Sequence, residues 1–476
     1  MKRKSLLFAN TIGAIGAIGI AVSFSAAAQF IVPAANLVIE GIPPISVELA
    51  KKAETYTEFK PSNIVAWHPT KPVALIRTRL DNTQQLHLLS KPGEIPVPIT
   101  DFPDGISDAS FQPTTGEYIL FVRGVGGNEV FRIFSMDLTT KEITAISPDN
   151  ERASTPSWNR KGDRIVFTTT SIDRFNRGEG AARTATTKLY IADPLKPAQA
   201  KLIATLEGGR WFGFRFSPDG KRLVFMEYFS ANKSHIWQMT IATGKKTRVT
   251  HERQNIKSGK AVIANAVSYD QPHYTRDGKG LFVISDRGSE YRRLAYIDLA
   301  SGKETVLTSH LHFDVDSFSV SVAARRISFI TNEAGSSVLR FLDLDSKKEL
   351  LRPALLSGVI AGLRWKNARE DNATSTAEDN LLGFNLASAK SPGEVFSYDV
   401  KTTKMTRWTN GSAIGLNPLE FVDPTLIQWK SFDGLTISGF RYQPDAIKFP
   451  GKRPVILSIH GGPEGQARPG FLARNS

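Results

Sequence analysis

Residues 216–227, FSPDGKRLVFME, decide the fold. An aromatic residue comes first, an Asp-Gly pair follows, and an apolar strand-like segment ends the unit. Asp-Gly between apolar segments is typical of a β-hairpin turn. Further copies, spaced 44 to 58 residues apart, begin at Trp67, Phe111, Trp158, Tyr274, Phe318 and Trp365, the last two degraded. A unit that recurs at this spacing indicates a repeat protein.

A second unit of the form strand, turn, strand follows each copy. Clear examples are VFRIFSMDLTTKEITAI from Val130, RLAYIDLASGKETVLT from Arg293 and EVFSYDVKTTKMTRWT from Glu394. Two hairpins make a four-stranded antiparallel sheet, which is the blade of a β-propeller when it recurs about every 40–60 residues. Radial stacking covers both faces of each sheet, with the leading aromatic between neighbours as a wedge. We predict an all-β seven-bladed β-propeller over residues 61–412, which the regular repeat favours over a β-sandwich or several small β domains.

The N-terminus has the features of a secretory signal peptide. Lys2-Arg3-Lys4 precedes an apolar stretch, and Ala26-x-Ala28 offers a small-residue cleavage site. An uncleaved membrane anchor is the alternative, because the stretch is near the lower limit for a span. We predict a signal peptide over residues 1–28 and hence a secreted, periplasmic protein with no stable membrane insertion after cleavage.

The composition narrows the classes of site and partner. The formal net charge is +14, and the basic residues are scattered. This favours a solvated basic surface over nucleic-acid binding, although such a surface could attract acidic peptides or an anionic membrane face. The sequence contains no cysteine, which excludes disulfides, thiolate nucleophiles and cysteine-ligated metals.

The segments on either side of the blades have different patterns. Residues 29–60 are predicted to be an N-terminal arm with a short amphipathic helix near Val47 to Tyr56. After the last blade, residues 426–445 read as a hairpin, and GKRPVILSIHGGPEGQ follows. The apolar run Val455 to Ile459 is typical of a strand buried on both faces. Residues 413–476 are therefore predicted to be the start, about three strands, of an α/β layer.

A resemblance to a known family rests on these features together. The signal peptide, the seven repeats, the W-x-S-x-D-G-x-x-I-x-G hairpin and HGGPEG resemble the prolyl oligopeptidase family of serine peptidases. GIPPI, NTQQLH and DRGSEYRRLAYIDL resemble its bacterial acylaminoacyl-peptidase/dipeptidyl-peptidase-like members. The resemblance spans the whole mature chain. The repeats alone are weakly specific, since TolB-like propellers share them, whereas the hairpin with HGGPEGQ is more specific. The resemblance implies that residues 413–476 are the incomplete start of an α/β-hydrolase peptidase domain.

The resemblance also implies the positions of an oxyanion hole. The turn after the third hydrolase strand corresponds to His460, Gly461 and Gly462, followed by Pro463, and a backbone N–H near Gly462 is the implied donor. Glycines suit this task because the backbone must approach the substrate with no Cβ in the way. Some relatives use a tyrosine hydroxyl at the position of His460, so the exact donor stays open. A plain strand-to-loop turn is the alternative.

No catalytic triad residue is assigned in this sequence. The family places its nucleophile in G-x-S-x-G, and that motif is absent. The resemblance implies that the nucleophile, acid and base lie beyond the C-terminus, so the chain as given is expected to be an inactive fragment. We also expect the residues after about Leu426 to be poorly packed, because three strands of a larger sheet cannot bury their apolar faces.

Two further sets of residues were weighed as sites. His310 and His312 could place two imidazoles on one face of a strand, with Asp314 and Asp316 continuing the alternation, but a polar strand edge is favoured and no metal or cofactor is predicted. A set of aspartates is interpreted as turn residues: Asp81, Asp163, Asp219 and Asp277. Glu464 either orients the glycine turn or faces solvent.

Two functions follow from these observations. The first is a periplasmic serine peptidase that hydrolyses short peptides, with the propeller gating substrate access. The second is a non-catalytic TolB-like propeller that binds a protein or peptide partner. The hydrolase-like segment after Leu426 favours the first. Peptide-bond preference, exo- or endo-action and oligomeric state are left open.

Overall fold

The computed structural model describes residues 30–172, 186–208, 210–250, 266–321, 323, 325–366, 380–411, 417–462 and 465–472. The predicted signal peptide lies outside these residues. The chain divides into two compact units, one up to Thr55 and one from Tyr56 onwards. No helix among the described residues has the length and apolar character that a membrane span requires.

The first unit contains the predicted helix. The helix α1 spans Val47–Glu54, and the N–H of Leu49 donates to Ser46 Oγ at 3.1 Å, which caps the first turn. Glu48 in the first turn and Lys51 and Lys52 in the last complement the helix dipole. The helix predicted near Val47 is therefore confirmed.

Seven antiparallel sheets follow one another in the second unit, each a blade made of consecutive strands. Blade 1 contains β1 (Asn63–Trp67), β2 (Ala74–Leu80), β3 (Thr83–Leu89) and β4 (Val97–Pro98). Blade 2 contains β5 (Ile106–Phe111), β6 (Tyr118–Arg123), β7 (Arg132–Asp137) and β8 (Ile143–Ala145). Blade 3 contains β9 (Glu151–Ala153), β10 (Ser157–Trp158), β11 (Ile165–Ser171), β12 (Thr186–Ala192) and β13 (Lys201–Glu207), with β9 paired to β11.

The remaining blades repeat the arrangement. Blade 4 contains β14 (Trp211–Phe216), β15 (Arg222–Ser230), β16 (Lys233–Thr240) and β17 (Lys246–Arg248). Blade 5 contains β18 (Tyr269–Tyr274), β19 (Gly280–Ser285), β20 (Arg293–Asp298) and β21 (Glu304–Val306). Blade 6 contains β22 (Asp314–Val320), β23 (Arg326–Glu333) and β24 (Ser336–Asp343). Blade 7 contains β25 (Val359–Trp365), β26 (Leu381–Ser388), β27 (Ser391–Asp399) and β28 (Lys404–Arg407). The predicted seven-bladed propeller is confirmed.

The core consists of apolar clusters between blades. Each of the seven clusters takes its side chains from two neighbouring blades, and one of them joins blade 7 to blade 1. Phe167, Phe225 and Phe329 lie on the second strands of their blades and are almost fully buried. Burial of one such side chain contributes about 1.5–3 kcal/mol. Adjacent blades therefore stabilise each other by covering each other's faces.

The leading tryptophans lie between blades, as predicted. The indole N–H of Trp67 donates to Arg364 O at 3.0 Å, and that of Trp365 donates to Ser319 O at 3.1 Å. The indole N–H of Trp158 donates to Ser110 Oγ at 2.9 Å. In each case the acceptor belongs to the preceding blade. The buried donors are thus satisfied, and each indole links two sheets.

Blade 6 departs from the predicted alignment of the repeat. Tyr274 pairs with Leu281 in blade 5, and the residue in the same register of blade 6 is Val320, which pairs with Ile327. Phe318, from which the degraded copy was counted, lies two residues earlier. A β-branched residue replaces the aromatic at this position, so the aromatic signal alone assigns the wrong register.

A serine or threonine ends most blades with the same hydrogen bond. Its hydroxyl accepts the backbone N–H of the residue fourteen positions earlier, at the third strand of the blade. The five hydroxyls of this set are all buried and belong to Thr100, Ser147, Thr250, Thr308 and Thr409. A buried backbone donor without a partner costs about 1–3 kcal/mol, so these hydroxyls stabilise the transition from one blade to the next.

Side-chain packing, side-chain hydrogen bonds and backbone hydrogen bonds such as that from the N–H of Gly93 to Trp408 O, at 2.9 Å, close the ring between blades 1 and 7. Among the described strands, none of blade 1 pairs with a strand of blade 7. The N–H of Ile64 donates to Asn385 Oδ1 at 2.7 Å, and Arg364 Nε donates to Val65 O at 2.8 Å. A Cβ at Gly383 would lie 2.9 Å from the Trp67 ring, so glycine permits this close approach. The indoles of Trp67 and Trp408 meet edge to face at 5.0 Å.

After the blades, β29 (Thr425–Lys430) and β30 (Thr436–Arg441) form a hairpin, as predicted. The third strand predicted over Val455 to Ile459 does not form, and these side chains are exposed, with 91% of the Val455 surface accessible. The residues are apolar, as a buried strand requires, but no segment of the described chain pairs with them. The expected poor packing after Leu426 is confirmed for this run and for Phe432.

We predict that Trp67→Ala weakens ring closure. The substitution removes a buried indole together with its hydrogen bond and ring contact, so the free energy of unfolding should fall by about 3–5 kcal/mol. Urea denaturation followed by circular dichroism measures this loss. Trp429→Ala is the matched control, because Trp429 is half-exposed in the hairpin and should lose less than about 1 kcal/mol. Equal losses for the two variants would contradict the assigned role of Trp67.

Candidate functional site

The first strands of the blades surround a central channel. It contains a cavity of about 450 Å³, within the range of small-ligand sites. Each blade contributes the residue immediately before its leading-aromatic position. These residues are Ala66, Ser110, Ser157, Arg215, His273, Ser319 and Arg364. Blades 1, 2, 3 and 6 contribute an alanine or a serine to this ring. The large polar side chains come from blades 4, 5 and 7.

Local backbone irregularities direct the three large side chains. A register shift precedes Arg215, His273 and Arg364 in β14, β18 and β25. Two residues before each lies a residue with positive φ: Gly213 at 68°, Gln271 at 52° and Gly362 at 67°. At Gly362 a Cβ would also collide with the Asn385 side-chain amide. A β-bulge of this kind re-aims the following side chain, here into the channel.

The electrostatics of the channel are dominated by cations. Burial lowers the pKa of Arg215, and the positive charge of Arg364 lowers it further. Burial also lowers the pKa of His273 to about 4, helped by the charge of Arg215, so the imidazole is neutral at pH 7. Its Nδ1 lies 2.8 Å from Tyr274 O, which accepts the Nδ1–H and leaves Nε2 as an acceptor. Asp108 is the one carboxylate among the described cavity-lining residues.

Sequence reasoning did not identify the channel residues. Arg215, His273 and Arg364 stand within the repeats as FRF, PHY and LRW, where they look like ordinary polar positions of alternating strands. A signal was nevertheless present, because each immediately precedes a leading aromatic. That position becomes informative only once the blades are known to form a ring.

The predicted oxyanion residues lie in an exposed turn. His460, Gly461 and Gly462 are all exposed, Gly462 has a φ of 68°, and the N–H of Gly465 donates to Gly462 O at 3.3 Å. Pro463 and Glu464 lie outside the described residues. Among the hydrogen bonds of the described chain, none uses the N–H of Gly461 or Gly462. The structure therefore presents a glycine turn with accessible donors and tests no catalytic role for it.

The residues after this turn contact the propeller, which was not predicted. Arg468 Nη1 donates to Asp316 Oδ2 at 2.9 Å, and Arg468 Nε donates to Gly335 O at 2.8 Å. The ring of Phe471 meets those of Phe59 and Phe421 edge to face. The general expectation of poor packing after Leu426 thus fails for this short segment, since Arg468 binds blade 6 and Phe471 packs against rings that flank the blades in sequence.

The other residues considered as sites have structural partners. His310 Nε2 lies 2.8 Å from Glu349 Oε1, and Asp314 Oδ1 accepts the N–H of Arg292 at 2.8 Å. Across the described ranges, no group of three or more potential metal-ligating side chains is found. Asp219 and Asp277 accept hydrogen bonds within their own turns, as the turn interpretation predicts.

We predict that His273 makes stability depend on pH. Because its pKa falls from 6.5 to about 4 on folding, the unfolded chain binds a proton in this window that the folded chain does not. Stability should therefore fall as the pH falls through it. The Tm of His273→Gln should drop less between pH 7 and pH 5 than that of the wild type. Some pH dependence of the Tm should remain in this variant, because folding also lowers the pKa values of His68 and His87. His312→Gln, at an exposed position, is the control, and identical slopes for all three proteins would exclude the assignment.

We also predict rapid amide exchange over residues 454–459. Their backbone N–H groups have no strand partner, whereas those of β29 and β30 form a ladder. In hydrogen–deuterium exchange mass spectrometry, a peptide covering 454–459 should exchange at the earliest time point. A peptide covering β30 is the internal control and should exchange more slowly. Protection of 454–459 equal to that of β30 would mean that the third strand forms in solution.

Comparisons with known proteins agree with this architecture. The crystal structure of a puromycin hydrolase is similar with a TM-score of 0.67 at 15% identity, over 89% of this chain and 65% of that one. Pyrococcus horikoshii acylaminoacyl peptidase gives 0.62 at 16%, over 88% and 63%. Prolyl oligopeptidase B from Galerina marginata gives 0.64 at 13%, over 83% and 56%. At these identities the likeness establishes the fold alone, and this chain spans less than two thirds of each of these structures.

The family is established by sequence. No curated protein matches the chain. The family description "Prolyl oligopeptidase, N-terminal beta-propeller domain" matches residues 106–410, which contain blades 2 to 7 and more than half of the chain. The chain therefore belongs to the prolyl oligopeptidase family, with its blades forming that family's N-terminal propeller domain.

Proposed function

We propose that this chain is the substrate-admitting part of a periplasmic serine peptidase that hydrolyses short peptides. The observation that carries the proposal is the central channel in a propeller of this family, to whose lining every blade contributes. The catalytic serine, aspartate and histidine would lie outside residues 1–476. Family membership and the channel support the proposal, while the periplasmic location rests on the signal-peptide features of residues 1–28.

The dimensions of the channel support selection by size. A cavity of about 450 Å³ has room for a few residues of an extended peptide and none for a folded domain. The buried contacts of Trp67 and Asn385 hold blades 1 and 7 together at the ring closure. A closed ring of this kind would admit narrow, extended peptides and exclude wider ones. This selection is what a gate for short peptides requires.

The glycine turn fits part of an oxyanion hole. Backbone N–H groups stabilise the negative oxygen of a tetrahedral intermediate when they lie about 2.7–3.1 Å from it. Gly461 and Gly462 provide two such groups with no side chain in front of them, and the left-handed φ of Gly462 turns the backbone sharply. In this proposal His460 to Gly462 supply one half of the hole, and the residue after the nucleophile supplies the other.

A fluorophosphonate probe tests the proposal directly. The protein is purified from its native source, treated with the probe, and examined by intact mass and by peptide mapping. We expect a covalent adduct on a serine of a polypeptide that contains the blades and extends beyond residue 476. Pretreatment with phenylmethylsulfonyl fluoride is the control and should abolish the adduct.

The alternative is a non-catalytic propeller that binds a protein or peptide partner. The polar channel supports it, since holding a peptide there requires no catalytic residue. A polypeptide that carries the blades, ends near residue 476 and takes up no probe would support this alternative and exclude the peptidase proposal.

A further inference from the structure

The channel contains two cations that the described protein groups do not neutralise. Arg364 donates to the backbone carbonyls of Val65 and Leu363, both of which are uncharged. Arg215 forms neither a hydrogen bond nor a salt bridge with any group in the described part of the chain. Both side chains are accessible within the cavity that they line, so a ligand there can reach them.

The two guanidinium groups also lie close enough to repel each other, since the charge of Arg364 lowers the pKa of Arg215. The third large side chain of the ring, His273, avoids adding to this repulsion by staying neutral. Two positive charges face one channel and are held there by bulged strands. The two charges repel each other in the unliganded protein. A ligand that neutralises them would remove this repulsion.

The charge balance indicates what the ligand is. Among the described residues that line the cavity, the acidic and basic residues other than His273 are Arg215, Arg364 and Asp108. Asp108 also interacts with Arg77. Burial lowers the pKa of Arg77, and the negative charge of Asp108 partly offsets this effect. Because Asp108 already offsets the charge of Arg77, the positive charges of Arg215 and Arg364 remain in excess, and an anionic ligand would balance them. A carboxylate also matches the planar, bidentate geometry of arginine.

We propose that Arg215 and Arg364 form a carboxylate-binding site in the propeller channel, which holds the carboxylate of a peptide while His273 Nε2 accepts from the peptide backbone. The proposal rests on the proposed function only in taking the ligand to be a peptide. The binding experiments below require no turnover. The carboxylate site can therefore fail while fluorophosphonate labelling succeeds, and labelling can fail while the site is confirmed.

Three peptides distinguish the source of the carboxylate. N-acetyl-trialanine carries a C-terminal carboxylate, its C-terminal amide carries none, and N-acetyl-Ala-Glu-Ala-amide carries one on a side chain. Isothermal titration of the full chain at low salt should show binding of the first and about ten- to hundredfold weaker binding of the amide. Binding of the glutamate peptide would show that a side-chain carboxylate is also accepted. Equal binding of the acid and the amide, or no binding of either carboxylate peptide, would overturn the proposal.

Variants connect the binding to the two arginines. Arg215→Gln and Arg364→Gln should each weaken binding of the acid by about tenfold or more. Arg248→Gln is the matched control, because Arg248 lies on β17, the outer strand of the same blade as Arg215. It should bind like the wild type. Wild-type affinity in both channel variants would also refute the site.

A stability measurement separates loss of the site from loss of the fold. Because Arg215 has no partner among the described groups and is repelled by Arg364, Arg215→Gln should keep or raise the Tm of the unliganded protein. The acid peptide should raise the Tm of the wild type and leave that of Arg215→Gln unchanged. A lower Tm in Arg215→Gln with the peptide-induced rise intact would assign Arg215 a structural role and contradict the proposal.

Discussion

Every blade depends on its neighbours to cover its two faces. A four-stranded sheet has two surfaces, and the second strands of these blades are apolar on both, as the almost fully buried pattern of Tyr118–Arg123 illustrates. Neither surface can be covered within one sheet, so each apolar cluster found among the described residues lies between two blades. The hydrogen bonds of the leading tryptophans Trp67, Trp158 and Trp365 follow the same rule, since each of these indoles donates to the preceding blade. The ring is the arrangement in which no face is left without a partner.

The same constraint places the polar residues. Faces between blades are apolar, so the inner edges of the first strands are the positions where a propeller can gather polar side chains around one axis. Bulges in β14, β18 and β25 direct Arg215, His273 and Arg364 to that axis. Their side chains then share one channel lined by protein, where desolvation and a neighbouring arginine charge lower the pKa values of Arg215 and His273. The channel electrostatics are therefore a consequence of the radial packing.

The sequence predicted the blades well because aromatic, turn and strand recur within short stretches. It misaligned blade 6, where Val320 occupies the aromatic position and Phe318 lies two residues before it. The channel residues were missed because their neighbours around the ring come from distant parts of the sequence. The run Val455 to Ile459 shows the opposite error, since an apolar pattern reports a preference for burial and not the presence of a partner strand. For His460 to Gly462, the sequence predicted a glycine turn. Whether its backbone N–H groups act in catalysis depends on a nucleophile and a substrate, which this stretch of sequence does not specify.

The closure of the ring between blades 1 and 7 has a consequence for folding. Within a blade, the contacts are local: the hydroxyl hydrogen bonds join residues fourteen apart, and the strand pair Val359 and Ala387 joins residues 28 apart. The bond between Ile64 and Asn385 joins residues 321 positions apart. The entropy of closing so long a loop exceeds that of a fourteen-residue loop by about 3 kcal/mol. Local hairpins therefore assemble first, and the meeting of blades 1 and 7 is the late, high-contact-order step. Until it occurs, two apolar sheet faces at opposite ends of the array remain in water, and the half-closed propeller is the intermediate most exposed to misassembly.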